Sequence, residues 1–204
     1  MTSGTLTCSV TDQAFHAVTP GPALTHTFLG GETFANLLAR EKKNGLLWDA
    51  LYKRAKVSDS VVARAAALRH PWHLLVLSED WCGDSINTLP PIDRLTEAVP
   101  LLDMRIIGRD ANPDIMDNHL TGISRSIPVI MVLDRNYVER GWWGPRPGPL
   151  QQWVIEHGLA LPKDERYREV RTWYARDHGE TALNELLDII ERAQSLEDRA
   201  QTPG

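Results

Sequence analysis

Leu74-Leu75-Val76-Leu77-Ser78-Glu79-Asp80-Trp81-Cys82-Gly83-Asp84-Ser85 is the stretch on which the reading of this chain turns. Leu74 to Leu77 are consecutive aliphatic residues, the pattern of a strand buried on both faces, and Ser78, Glu79 and Asp80 mark its exit to solvent. Beyond Ser85, the residues Ile86, Leu89, Ile92, Leu95 and Val99 recur every three or four positions. A helix starting at or just after Gly83 therefore buries one stripe. Cys82 falls at the strand-to-helix turn. The unpaired amides of a first helical turn and the helix dipole favour negative charge there, the setting in which a thiol becomes a thiolate nucleophile. Glu79, Asp80 and Asp84 act on the thiol in the opposite sense, and the sequence leaves that balance open.

Working outward toward the N-terminus, residues 1–30 are rich in Thr, Gly and Pro and are expected to be extended or poorly ordered. From Glu32, Phe34, Leu37 and Leu38 are spaced helically, Asn44-Gly45 breaks the pattern, and Leu46, Leu47, Ala50 and Leu51 resume it, which predicts two helices. Ser58 or Asp59 can cap a third through Val61, Val62 and Ala65 to Leu68, closed by His70-Pro71.

In the other direction, Met104, Ile106 and Ile107 predict a short strand, Gly108 to Pro113 a polar turn, and Asp114 to Leu120 a short helix. Ile127-Pro128 opens a second buried strand through Leu133, with proline at its start, where a missing amide is tolerated. Asp134-Arg135-Asn136 reads as a hairpin turn, and Tyr137 to Trp143 as the antiparallel partner strand. Trp142-Trp143 offers an exposed aromatic platform, although alternation along a strand buries at least one of the two. Gly144 to Pro149 stops the sheet. Helices carrying Leu150, Trp153 and Val154, then Tyr167, Val170, Trp173 and Tyr174, then Leu183, Leu186, Leu187 and Ile190 follow as amphipathic covers without chemistry, the last two separated at His178-Gly179. The fold class is α/β, a mixed sheet with parallel strands and an antiparallel hairpin. Residues 1–70 are expected to form an N-terminal extension, helical from about residue 32, residues 71–144 a core, and residues 145–204 a helical extension packed on it.

Composition narrows the function. A chain of 204 residues, 42% hydrophobic with 7 Trp, can bury a sizeable core as one unit. With 27 Asp+Glu against 22 Lys+Arg and no long basic run, nucleic acid is not an expected partner. Met1 to Pro20 lacks the charged flank and apolar segment of a signal peptide, and no apolar run approaches a membrane span, so a cytoplasmic protein with no membrane partner is expected. Cys8 and Cys82 form no motif together and are expected to stay reduced, with Cys8 incidental or, in the alternative, a distant resolving thiol. His70 and His73 are separated by Pro71, which spoils a helical pair, and no metal site is expected.

The turn Trp81-Cys82-Gly83-Asp84-Ser85 resembles the Trp-Cys-Gly-Pro-Cys turn of the thioredoxin superfamily, which also follows a central strand. Pro90 falls where thioredoxins carry a helix-kinking proline, and Ile127-Pro128 where the family has a cis-proline before its next strand. These anchors cover about residues 72–144. The resemblance implies a thioredoxin-like fold, a cis Ile127-Pro128 bond, Pro128 close to the Cys82 sulfur, and Ile127 offering its backbone amide and carbonyl to an extended peptide. The chain departs from the family at three points. Ser85 stands in place of the resolving cysteine, Asp84 in place of the proline, and Val76 at the strand position where thioredoxins bury a carboxylate. It is most similar to the bacterial thioredoxin-like group with Trp-Cys-Gly-Asp and no second motif cysteine.

The leading expectation is a monothiol thiol–disulfide oxidoreductase. Cys82 would be its nucleophile and Ser85 a hydrogen-bond donor to the thiolate, with Trp81, Gly83, Asp84, Ile127 and Pro128 lining the substrate site. The partner would be a protein or small-molecule disulfide, and no cofactor is expected beyond a low-molecular-weight thiol as co-substrate. Asp84 is read first as a helix N-terminal residue that satisfies backbone amides. Two alternatives stand beside this reading. One is a redox-inactive module that binds a peptide or protein at the same sheet edge. The other follows from the similarity of Cys-Gly-Asp-Ser to the Cys-Gly-Phe-Ser of monothiol glutaredoxins, which bind an iron–sulfur cluster with glutathione.

Overall fold

In the computed structural model, which describes residues 23–201, the aliphatic run forms β1 (Trp72–Ser78), in which every residue but His73 is buried. β1 lies inside a four-stranded sheet. It pairs in parallel with β2 (Leu102–Gly108) on one side and antiparallel with β3 (Val129–Leu133) on the other, and β3 pairs antiparallel with β4 (Glu139–Trp143). The order is β2-β1-β3-β4, a mixed sheet with one parallel pair and a closing hairpin, as the sequence pattern predicts. The hairpin turn is built around the buried Asp134. Its Oδ1 accepts from the amides of Asn136 (2.7 Å) and Val138 (3.0 Å), while Oδ2 accepts from Arg140 Nε at 2.9 Å.

Alternation divides the buried side chains between two cores. Leu74 and Val76 of β1, Ile130 and Val132 of β3 and Trp143 of β4 point into one core, and Leu75, Leu77, Val129, Met131, Leu133 and Trp142 into the other. Both tryptophans are thus covered, at 4% and 1% exposure, and the exposed aromatic platform does not exist. The first core is roofed by α5 (Gly83–Ala98), whose predicted stripe of Ile86, Leu89, Ile92 and Leu95 is buried there.

Three further helices join the first core. α2 (Phe34–Ala39) and α3 (Gly45–Arg54) contribute Phe34 and Trp48, and α4 (Asp59–Ala66) starts where Ser58 Oγ accepts from the Val61 amide, as its sequence predicts. The second core is covered by α6 (Pro113–Asp117), through Met116, and by α1 (Thr25–Leu29), through Phe28. α1 corrects the expectation of an extended segment. Its single buried side chain, Phe28, packs edge-on to His73 at 4.9 Å, so the helix is selected by a distant contact rather than by its own pattern.

The C-terminal part continues through α7 (Gly148–Glu156), a short 3-10 turn, α8 (Lys163–Asp177) and α9 (Glu180–Gln201). α9 completes the first core with Leu183, Leu186, Leu187 and Ile190, each contributing about 1.5–3 kcal/mol of burial free energy. It is tied to α4 by Arg64, which bonds Glu191 (2.6 Å), Asn184 Oδ1 (3.1 Å) and Asp188. The α8–α9 turn sits on α5: Gly179, at φ +86°, would place a Cβ only 2.5 Å from Pro91 Cγ. Among the described residues no helix is long and apolar enough to cross a membrane.

Two measurements probe this arrangement. Gly144, just past β4, has φ +140°, and a Cβ there would stand 2.1 Å from the Pro128 carbonyl oxygen. Gly144→Ala is expected to cost about 2–4 kcal/mol, read as a lower urea midpoint at unchanged slope. A cost below about 0.5 kcal/mol would mean that the contact relaxes freely.

His119 is buried, with Nε2 2.8 Å from Glu139 Oε1 and Nδ1 2.6 Å from Ile115 O. Burial opposes the charged ring, but the hydrogen bond and charge of Glu139, with the Ile115 carbonyl, outweigh it and raise the histidine pKa. The stabilisation is therefore complete well below the unfolded value of about 6.5 and is lost as pH rises through the higher folded value. His119→Gln should accordingly cost more stability at about pH 5.5 than at about pH 9, and equal losses would show a ring that is neutral throughout.

Candidate functional site

Cys82 occupies the N-cap position of α5 in extended backbone conformation (φ −77°, ψ 114°), at the turn where β1 ends. Its amide donates to Glu79 O (3.1 Å) and its carbonyl accepts from Ile86 (3.0 Å), which locks the turn between strand and helix. The sulfur is buried, with the residue at 6% exposure, and the thiol donates to Ile127 O at 3.3 Å. The Ile127–Pro128 bond is cis, as the resemblance implies, and the residue before the proline stands directly against the thiol.

Around this centre the predicted residues divide into an outer and an inner set. Trp81 is 42% exposed, with the Arg109 guanidinium 5.0 Å above its ring, and Gly83 is exposed with open space where a side chain would project. Ile127 is buried in the same core as Cys82, and Pro128, the next residue, is buried as well. Ser85 is fully buried in the first turn of α5, and its hydroxyl has no hydrogen-bond partner among the described residues while the thiol proton is directed at Ile127. A negative sulfur would give that hydroxyl an acceptor. Val76 is fully buried in the core on the α5 side of the sheet.

Of the three acids near the motif, two are engaged elsewhere. Asp80 Oδ2 accepts from the Lys43 amide (3.1 Å) and Arg40 (3.4 Å), and its carbonyl accepts from Trp48 Nε1 at 3.0 Å. Glu79 Oε1 accepts from the Asp110 amide at 3.1 Å. These bonds fasten the turn to the α2–α3 connection and to the end of β2. They also line a small cleft between Glu32, Arg40, Asp80 and Gly108 that does not include Cys82.

Asp84 is different from what its position suggests. It is 8% exposed and turns inward, away from the helix amides: Oδ2 takes Arg146 at 2.6 Å and Oδ1 accepts from the Tyr174 hydroxyl at 3.1 Å. Arg146 comes from the loop after β4 and Tyr174 from α8. Sequence reasoning missed both, and no local signal marks them, since each is an ordinary residue of a segment read only as cover.

The electrostatics follow from this burial. Desolvation is the largest effect on Cys82 and pushes its pKa up, and the Asp84 charge adds to it; the Ser85 hydroxyl and the Ser85 and Asp84 amides favour the thiolate and oppose the shift. Burial also raises the Asp84 pKa, against the charge and hydrogen bond of Arg146. The site therefore favours the protonated thiol, with the Ser85 hydroxyl and the Ser85 and Asp84 amides on the side of the thiolate. Among the described residues no group of three or more His, Cys, Asp or Glu side chains is arranged to hold a metal ion. Cys8 lies outside the described residues.

A family model described as thioredoxin matches residues 31–174. No curated protein matches the chain. Two solved structures share its fold. A protein of unknown function from Pseudomonas aeruginosa is 22% identical, with a TM-score of 0.68 over 85% of this chain and 99% of that one. An HIV epitope-scaffold protein is 21% identical, with a TM-score of 0.66 over 83% of this chain and 98% of that one. The family match takes in the sheet, the cysteine turn and the cis-proline loop together, and the chain belongs to the thioredoxin-like superfamily.

Proposed function

We propose that this protein is a monothiol thiol–disulfide exchange protein of the Trp-Cys-Gly-Asp type, working in a reducing, cytoplasmic setting on a protein or small-molecule disulfide. One observation carries the reading: the Cys82 thiol is held on the carbonyl of Ile127, the backbone group that an extended substrate would itself occupy. A substrate strand whose amide bonds Ile127 O displaces the thiol proton from that acceptor and brings a disulfide to the sulfur. The Cys82 thiolate then attacks one sulfur of the bound disulfide, forming a mixed disulfide and expelling the other sulfur as a thiolate that takes up the proton. With Ser85 where a second cysteine would be needed, an external low-molecular-weight thiolate attacks the substrate-side sulfur and releases the Cys82 thiolate.

Burial of the thiol supports a second reading, a redox-inactive module that binds a peptide through Ile127 without exchange, since an upward-shifted pKa leaves little thiolate at neutral pH. Cluster or glutathione binding has less behind it, because Asp84 stands where the glutaredoxin turn has phenylalanine and Trp81 directly precedes the cysteine.

Disulfide exchange measured across pH separates the first two readings. The rate should climb with pH beyond the range in which an ordinary cysteine, with a pKa of about 8.5, has levelled off. Cys82→Ser should lose at least about 100-fold in rate, while Cys8→Ser stays near the parent. A folded parent with no exchange at alkaline pH, but with Cys82-dependent retention of an extended peptide, would establish the binding module instead.

A further inference from the structure

A carboxylate with 8% exposure in the first turn of α5 needs a reason, because burying an ion pair seldom stabilises a fold more than apolar packing would. Asp84 is nonetheless held at both oxygens by segments that arrive from far along the chain, Arg146 at 2.6 Å and Tyr174 at 3.1 Å. Arg146 is itself fixed: Nη1 donates to Gln151 Oε1 at 3.1 Å, Nη2 faces Asp84, and Nε is buried without a hydrogen-bond partner among the described residues. The Cys82 sulfur lies within electrostatic reach of this guanidinium. Two opposite charges are thus pinned together beside a thiol whose burial disfavours ionisation.

We infer that Asp84 and Arg146 form a charge-balanced clamp that sets how readily Cys82 ionises, Arg146 stabilising the thiolate and Asp84 holding that cation back. The inference rests on reading Cys82 as the working nucleophile. Both residues act through the sulfur and are positioning residues, and Tyr174 orients the carboxylate. The titratable and charged groups at the clamp are Cys82 and Asp84 of α5, Arg146 of the β4–α7 loop and Tyr174 of α8, and α7 adds the neutral Gln151. While the pair is intact, the Asp84 charge raises the thiol pKa and the Arg146 cation offsets part of that effect. Removing Asp84 leaves an uncompensated cation and favours the thiolate, and removing Arg146 leaves an uncompensated anion and disfavours it.

The rate of Cys82 alkylation by iodoacetamide, followed across pH in a Cys8→Ser background, tests the clamp. Asp84→Asn should move the midpoint down by about one pH unit, giving about tenfold more thiolate at neutral pH, and Arg146→Met should move it up by a similar amount. The double variant should fall between the two single variants, because the two opposed charges are removed together. Arg146→Lys keeps the charge and should stay within about 0.5. Circular dichroism reports folding, and if Arg146→Met does not fold, the Lys variant against Asp84→Asn carries the comparison. Shifts of the same sign in both single variants, or no shift in Asp84→Asn, would overturn the clamp. The titration does not require disulfide exchange. Opposite shifts in a protein that never exchanges disulfides would overturn the proposed function and leave the clamp standing.

Discussion

The burial of both faces of β1 is the constraint from which the rest of the structure follows. A strand of Leu74, Leu75, Val76 and Leu77 has no side that tolerates water, so the chain must supply two covers. α5 and α9, joined by the helices before β1, meet Leu74 and Val76, while α1 and α6 meet Leu75 and Leu77. Because β1 has a neighbour on each edge, its C-terminal end opens in the interior of the sheet rather than at its margin. The turn that follows inherits that depth, which is why Cys82 is a buried thiol flanked by two exposed residues, Trp81 and Gly83.

Charge near the turn is sorted by the same geometry. Glu79 and Asp80 leave the strand on the loop side, where backbone amides and Arg40 receive them. Asp84, one helical turn later, has rotated to the inner face of α5, where it is largely withdrawn from water and meets an arginine and a tyrosine hydroxyl. Three acids within six residues of sequence thus have unlike partners, two on the loop side and one on Arg146 and Tyr174.

The elements that could be read from the sequence are those whose evidence is local. The aliphatic run of β1, the stripe of α5, the Ser58 cap and the Asp134 turn each carry their signal within a few residues, and the proline before β3 marks the segment that meets Cys82. What was not legible depends on partners distant in sequence. Thr25–Leu29 is too short to show a periodicity and is held by Phe28 reaching the second core. Trp142 and Trp143 alternate as a strand requires, yet both are buried because both faces of the sheet are covered. The partner of Asp84 is one of 22 Lys and Arg residues, and Tyr174 is 90 positions away, so no spacing rule selects them.

Glu185 of α9 binds two places at once, Trp143 Nε1 at 2.7 Å and the Gly148 amide at 2.9 Å. It thereby brackets the loop that carries Arg146, fixing one end to the last strand and the other to the start of α7. The boundary between core and tail that the chain displays on paper is therefore not a boundary in chemistry. A minimal domain cut after β4 would keep the cysteine, the serine and the proline loop, and would still have lost the counterion of its own motif. Recombining this motif with another superfamily member's tail would transplant a buried thiol and carboxylate without their electrostatic environment. Modularity, for this protein, ends at the level of the fold.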